Sequence, residues 1–186
     1  MARRNELVAI LNLLGLLGIT AVQITAYGFQ FAHGELPCPL CLLQRVAFAM
    51  VAFGFLLNVT HGSQPAHYGI ILLSALFGAS VSGRQMLLHI VPGSGAYGSA
   101  ILDLHFYTWA FLLFVATILA TATLLLLHVT EVGAARSTPP TPWLPLVVIA
   151  AIVITAANAV TTFIECGPIE CPDNPVSYWL LNVLAH

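Results

Sequence analysis

Cys38-Pro39-Leu40-Cys41-Leu42-Leu43-Gln44-Arg45 is the stretch on which the reading of this chain turns. It stands where a polar connection, Gln30 to Pro37, meets a long apolar run beginning at Leu42. Two cysteines separated by two residues can close a small disulfide ring and so store two electrons. A helix opening near Cys38 would favour a thiolate there, through its first-turn amides and its dipole. Arg45 follows Cys41 by four residues, one helical turn along the same face. A permanent cation one turn from a thiol in apolar surroundings is costly, and ionisable residues so placed mark functional sites. The same residues also read as half of a zinc site, as a structural disulfide, or as an Arg that only snorkels to lipid headgroups. Leu42 in place of a histidine excludes the c-type haem motif.

Composition settles the class. The chain has 186 residues, 59% of them hydrophobic and 6% charged. A soluble domain carries about a quarter charged residues, so the chain reads as an integral membrane protein. It has no lysine; its 5 cations are Arg3, Arg4, Arg45, Arg84 and Arg136. So little basic charge leaves no electrostatic footprint for nucleic acid. One all-α membrane domain covering residues 1–186 is expected, its helices packed together in lipid.

Outward from the motif, five apolar runs are long enough, at 1.5 Å per residue, to cross roughly 30 Å of hydrocarbon. They are residues 7–29, 41–59, 68–90, 106–128 and 143–164. The first is read as a retained span, because it is long for a signal peptide and no clear small-x-small site follows it. His61 to Pro65 is a tight polar turn, Pro92 to Gly95 breaks the third run, and Pro139, Pro140 and Pro142 mark the polar stretch before the fifth. Trp143 reads as an interfacial anchor. The tail, residues 165–186, is too short to span again, and Val176 to Leu184 reads as a short amphipathic surface helix.

With Arg3 and Arg4 inside, five spans put Arg136 inside as well, in agreement with the positive-inside rule. The same count brings both cysteine pairs, Cys38/Cys41 and Cys166/Cys171, to the outer face, where disulfides persist. Gly167 and Pro168 between the tail cysteines indicate a turn that lets that ring close. The tail pair can serve as an exchangeable disulfide facing a soluble protein or as a static staple.

Further candidates flank the outer ends of spans three and four. Arg84, with Gln85 beside it, is a charged residue within a span and a functional candidate; structural pairing with Asp103 or Glu35 is the alternative. His89 and His105 could donate protons, and Asp103, His105, Tyr107 and Trp109 could line a slot for a flat ring or simply anchor the interface.

The order of span, C-x-x-C and span, with Arg45 four residues after Cys41, resembles the DsbB family of bacterial inner-membrane disulfide generators. Gly83-Arg84-Gln85-Met86 through Pro92-Gly93, then His105-Phe106-Tyr107-Thr108-Trp109, is similar to that family's third span, outer loop and fourth span. The resemblance covers about residues 7–128. It implies a four-helix core, here with a fifth span added, and a Cys38/Cys41 disulfide beside a bound quinone (ubiquinone or menaquinone). It implies that Arg45 polarises the quinone head and favours a thiolate–quinone adduct, with Arg84 and Gln85 as further quinone-binding candidates. It also implies a periplasmic thioredoxin-fold partner resembling DsbA, a cytoplasmic N-terminus and a periplasmic tail. Well-known members hold their second cysteine pair between spans three and four, whereas here Cys166/Cys171 follows the fifth span.

The expected function is therefore that of a membrane thiol oxidase, passing electrons from the partner through the cysteine pairs to quinone. A non-enzymatic protein holding zinc on four outer thiolates, or only structural disulfides, is the alternative. A reductase running electrons outward is a third reading.

Overall fold

A computed structural model describes residues 2–91, 93, 95, 97–128 and 142–185, with side chains described for 6–126 within the first four helices. The polar stretch with Arg136, Pro139 and Pro140, and Pro92 and Ser94 of the expected helix break, lie outside the described residues, as do the side chains of Arg3 and Arg4.

Among the described residues six helices are formed: α1 Ala2–Ala32, α2 Pro39–His61, α3 Pro65–Leu88, α4 Phe106–His128, α5 Leu144–Cys166 and the short α6 Trp179–Leu184. The first five include segments long and apolar enough to cross a membrane, among them Glu6–Ala32 and Leu144–Cys166. The chain is an all-α polytopic membrane bundle. Its helices begin and end close to the expected spans because their stops are chemical. Pro39 and Pro65 occupy first-turn positions, where a missing N–H costs nothing. Helix α3 ends at Leu88 rather than at Ile90, with His89 as its C-cap donating its N–H to the Met86 carbonyl. Between α3 and α4, Ala100–Ile101 and Leu104–His105 pair antiparallel as β1 and β2. Leu102 and Asp103 turn between them with φ of 52° and 62°.

Helix α2 is central, packing on α1 and α3; α3 packs on α4, and α5 docks against α1 and α2. Close backbone approach makes this possible. A Cβ at Gly78 of α3 would lie 2.2 Å from Phe114 Cζ on α4, and Phe114 in turn stacks on Phe48 of α2 at 4.0 Å between centroids. Small residues let membrane helices approach where water cannot drive them together. At one end of the bundle buried polar groups add direction. Asn12 donates to Tyr68 Oη at 2.7 Å, and Asn58 donates to Asn12 Oδ1 at 2.9 Å. The chemistry-bearing residues gather at the opposite end.

Candidate active site

The motif is built at the N-terminus of α2. Cys38 is the N-cap, with extended backbone, and its Sγ accepts a hydrogen bond from the Cys41 amide at 3.2 Å. A cap sulfur facing first-turn amides is where a thiolate is best stabilised, as the spacing predicts. Cys38 and Cys41 are paired as a disulfide, Cys38 buried and Cys41 half-buried. Gln85 of α3 crosses to this pair. Its Nε2 donates to Cys38 Sγ at 3.3 Å and to Cys41 Sγ at 3.5 Å, while its Oε1 accepts from Gln44 Nε2 at 2.7 Å. Gln44 thereby fixes which end of the Gln85 amide faces the sulfurs.

Arg45 sits one turn further on, held by three neutral acceptors. Nη1 donates to Gln30 Oε1 at 2.6 Å and to Asn158 Oδ1 at 3.1 Å, and Nη2 donates to the Ala26 carbonyl at 3.1 Å. These acceptors come from α1 and α5. Of the five guanidinium N–H groups, two remain without a partner among the described residues. Gln30 also donates to Tyr178 Oη at 3.1 Å, which ties the tail to the same cation.

Beside Cys41 and Arg45 lies a cavity of about 360 Å³. Its walls are mainly apolar and aromatic, including Phe29, Phe48, Phe106, Tyr107 and Trp109, and its polar lining includes Gln23, Gln30, Gln44 and Arg45. Tyr97, Gly98 and Ile101 of the α3–α4 connection also line it. Tyr97 donates to the Leu36 carbonyl at 2.7 Å, Ser99 N donates to Glu35 Oε2 at 3.1 Å, and Ser99 Oγ also bonds the Glu35 carboxylate. Burial pushes the Tyr97 phenol above its ordinary value, so it stays a donor in this contact. Trp109 Nε1 donates to the Ile101 carbonyl at 3.0 Å, pinning the hairpin to α4. Of the four residues at the mouth of α4 that could line a slot or anchor the interface, Tyr107 and Trp109 line the cavity, and Asp103 and His105 do not.

The structure does not bring every sequence candidate into this site. Arg84 is exposed and does not line the cavity, and Glu35, its suggested partner, is engaged by Ser99 instead. Gln85 contacts the sulfurs and is not among the cavity-lining residues. His89 and His105 both stack on Tyr107, at 5.3 and 5.4 Å between centroids, and neither lines the cavity. Gln30, Gln44, Tyr97 and Asn158 are contributors that sequence reasoning passed over. Gln44 lay in the quoted motif, but nothing in a neutral side chain one residue before Arg45 distinguishes it from an ordinary helix residue.

Cys166 and Cys171 form the second disulfide, at the C-terminal end of α5. Gly167, with φ of +64°, makes the turn, and a Cβ there would lie 2.4 Å from the Trp179 ring. The Arg45–Asn158 and Gln30–Tyr178 contacts put the end of α5 and the tail at the same end of the bundle as Cys38. The four cysteines stand in two separate disulfides, and no group of three His, Cys, Asp or Glu suited to a metal ion occurs among the described residues.

Fold and site together define a multi-pass helical membrane protein with a disulfide at a helix start, open to an apolar cavity. Residues 8–96 match the family model of the disulfide bond formation protein DsbB. Among similar curated proteins, disulfide bond formation protein B of Methylococcus capsulatus is 46% identical over 87 residues, 43% of this chain and 52% of that one. The protein of the same name from Azoarcus sp. is 39% identical over 75 residues, 37% of this chain and 45% of its own length. That from Nitrosomonas eutropha is 42% identical over 67 residues, covering 34% and 41%. The chain thus spans about half the length of the curated relatives it matches. No solved structure matches it. The matched segment contains Cys38, Cys41, Arg45, Arg84 and Gln85; it stops short of α4, α5 and the tail cysteines.

Proposed function

We propose that this protein is a thiol oxidase of the bacterial inner membrane, which makes disulfides by moving electrons from a periplasmic DsbA-like protein to a membrane quinone. The observation that carries the reading is the Cys38–Cys41 disulfide, held between the α2 amides and Gln85 and adjoining a cavity into which Arg45 projects. The curated relatives are named for disulfide bond formation.

The donor set suits a quinone. A cavity of this size with apolar walls and few convergent polar groups is the usual form of a small-molecule site. Flat aromatic walls suit a ring, the membrane-embedded setting suits an isoprenoid tail, and the two unengaged N–H groups of Arg45 suit a ring oxygen. When bound, a quinone supplies an acceptor for two electrons and two protons.

The chain's own residues do the rest. A thiolate of the reduced partner attacks one sulfur of Cys166–Cys171, and the partner's second thiol resolves the mixed disulfide. The tail thiols then reduce Cys38–Cys41 by a second exchange. Gln85 and the α2 amides stabilise the thiolate that this releases. Net, a partner dithiol and a quinone become a partner disulfide and a hydroquinone, so two electrons and two protons balance. The N-terminus is cytoplasmic and both pairs face the periplasm in this reading. The test is quinone reduction by the purified protein, given a reduced thioredoxin-fold donor. Stoichiometric donor oxidation and quinone reduction are expected, and no quinone reduction under any donor would overturn the proposal.

A further inference from the structure

The fifth helix reaches Arg45 from outside the family-matched segment. Asn158 Oδ1 accepts from Arg45 Nη1 at 3.1 Å, and Glu165 follows seven residues later, two turns along the same face of α5. Glu165 is 2% exposed, and neither of its carboxylate oxygens has a hydrogen-bond partner. Its charge acts on two residues that line the cavity, Arg45 and Tyr97. The hydrogen bonds of Arg45 go only to neutral acceptors among the described residues. A guanidinium withdrawn from water is costly without an opposing charge, and Glu165 is a buried carboxylate whose charge reaches it. Other titratable groups around the pair are Tyr27 on α1, Tyr178 in the tail, Tyr97 in the outer loop, and Glu35, which acts on Tyr97.

We infer that Glu165 is a positioning residue for Arg45: a buried counter-charge, carried by the fifth helix, that sets the positive field Arg45 presents to a ligand oxygen in the cavity. The inference rests on the reading of that cavity as a quinone site. Ionised Glu165 offsets part of the guanidinium charge. Protonated Glu165 leaves Arg45 uncompensated and strengthens its hold on an electron-rich oxygen. Asn158 fixes the guanidinium in place while Glu165 grades its charge, so α5 belongs to the site.

Two measurements on the purified full-length protein test this. The first needs no quinone: infrared difference spectra across a pH series should show a buried carboxyl band that is absent from Glu165→Gln. In Arg45→Met the midpoint of that band should move by about one pH unit. The second is KM and kcat for a water-soluble quinone across the same pH series. Glu165→Gln should show a KM several-fold below wild type at high pH and a flattened pH profile, with little change in kcat. Glu165→Asp, which keeps the charge, should retain the wild-type profile. A band midpoint unmoved in Arg45→Met, or superimposable KM profiles for wild type and Glu165→Gln, overturns the inference. Absence of quinone reduction by the wild type overturns the functional reading and the placement of the pair at an acceptor site; a band that still responds to Arg45→Met then identifies the pair as structural.

Discussion

The Gln85 side-chain amide stands 3.3 Å from Cys38 Sγ and 3.5 Å from Cys41 Sγ, donating toward both sulfurs of one disulfide from a different helix. Gln44 holds the other end of that amide at 2.7 Å. Once the pair is reduced, the same N–H groups face whichever sulfur carries the negative charge. Hydrogen bonds to the charged form of a thiol lower its pKa, and a bond to a charged group contributes about 1.5–3 kcal/mol.

Gln85→Leu should therefore raise the thiol pKa of the reduced Cys38/Cys41 pair by about one unit or more. The rate of alkylation by iodoacetamide against pH measures it. The thiolate is the charged form, so losing its donors moves the rate curve to higher pH and slows alkylation at neutrality. An unmoved curve would mean that the α2 amides alone stabilise the thiolate. Gln44→Leu, which only frees the Gln85 amide to rotate, should give a smaller shift in the same direction.

Arg45 serves three acceptors on two helices through the two terminal nitrogens of its planar fork. Arg45→Lys keeps the charge and loses that geometry. The expected result is a quinone KM raised on the order of tenfold, about 1.4 kcal/mol, with the Cys38–Cys41 disulfide still formed. Normal quinone kinetics would reduce Arg45 to a residue that only reaches toward the headgroups.

Both disulfides lie at one end of the bundle. After reduction, a membrane-impermeant thiol reagent added to intact cells with a permeabilised outer membrane should label all four cysteines from the periplasmic side. Labelling of Cys166 or Cys171 only after the inner membrane is opened would contradict the five-span orientation.

The tail pair has an asymmetry that a relay could use: Cys166 is buried and Cys171 is half-exposed. An incoming thiolate reaches the more exposed sulfur more readily, which makes Cys171 the expected point of attack and Cys166 the leaving thiolate. With a reduced partner whose second thiol is replaced, the intact tail disulfide should give a covalent complex on a non-reducing gel joined at Cys171, and a complex joined at Cys166 would reverse the assignment. Full partner oxidation by a Cys166→Ala, Cys171→Ala double variant would make the tail disulfide a staple.

The five spans were legible in the sequence because hydrocarbon imposes a length and an apolarity that local composition reports directly. The helices start at Pro39 and Pro65, ahead of the apolar runs that begin at 41 and 68, since a proline's missing N–H is tolerated in a first turn. The one-turn relation of Cys41 to Arg45 needed nothing beyond helical periodicity. Position 84 against 85 shows where this kind of reading stops. Both are polar residues in one span, and the charged one was the stronger candidate, yet α3 turns Arg84 outward and buries Gln85 against the sulfurs. With small residues and polar groups scattered around α3, apolar patterning did not specify its rotation. That rotation is set by packing, with Gly78 admitting Phe114. The meeting of Gln30, Arg45, Asn158 and Tyr178 is likewise absent from any local pattern, because its members are up to 148 residues apart. Their convergence follows from α5 docking against α1 and α2. Spacing along a helix is fixed by covalent geometry and can be read from the chain, whereas the neighbours of a side chain across helices exist only once those helices have packed.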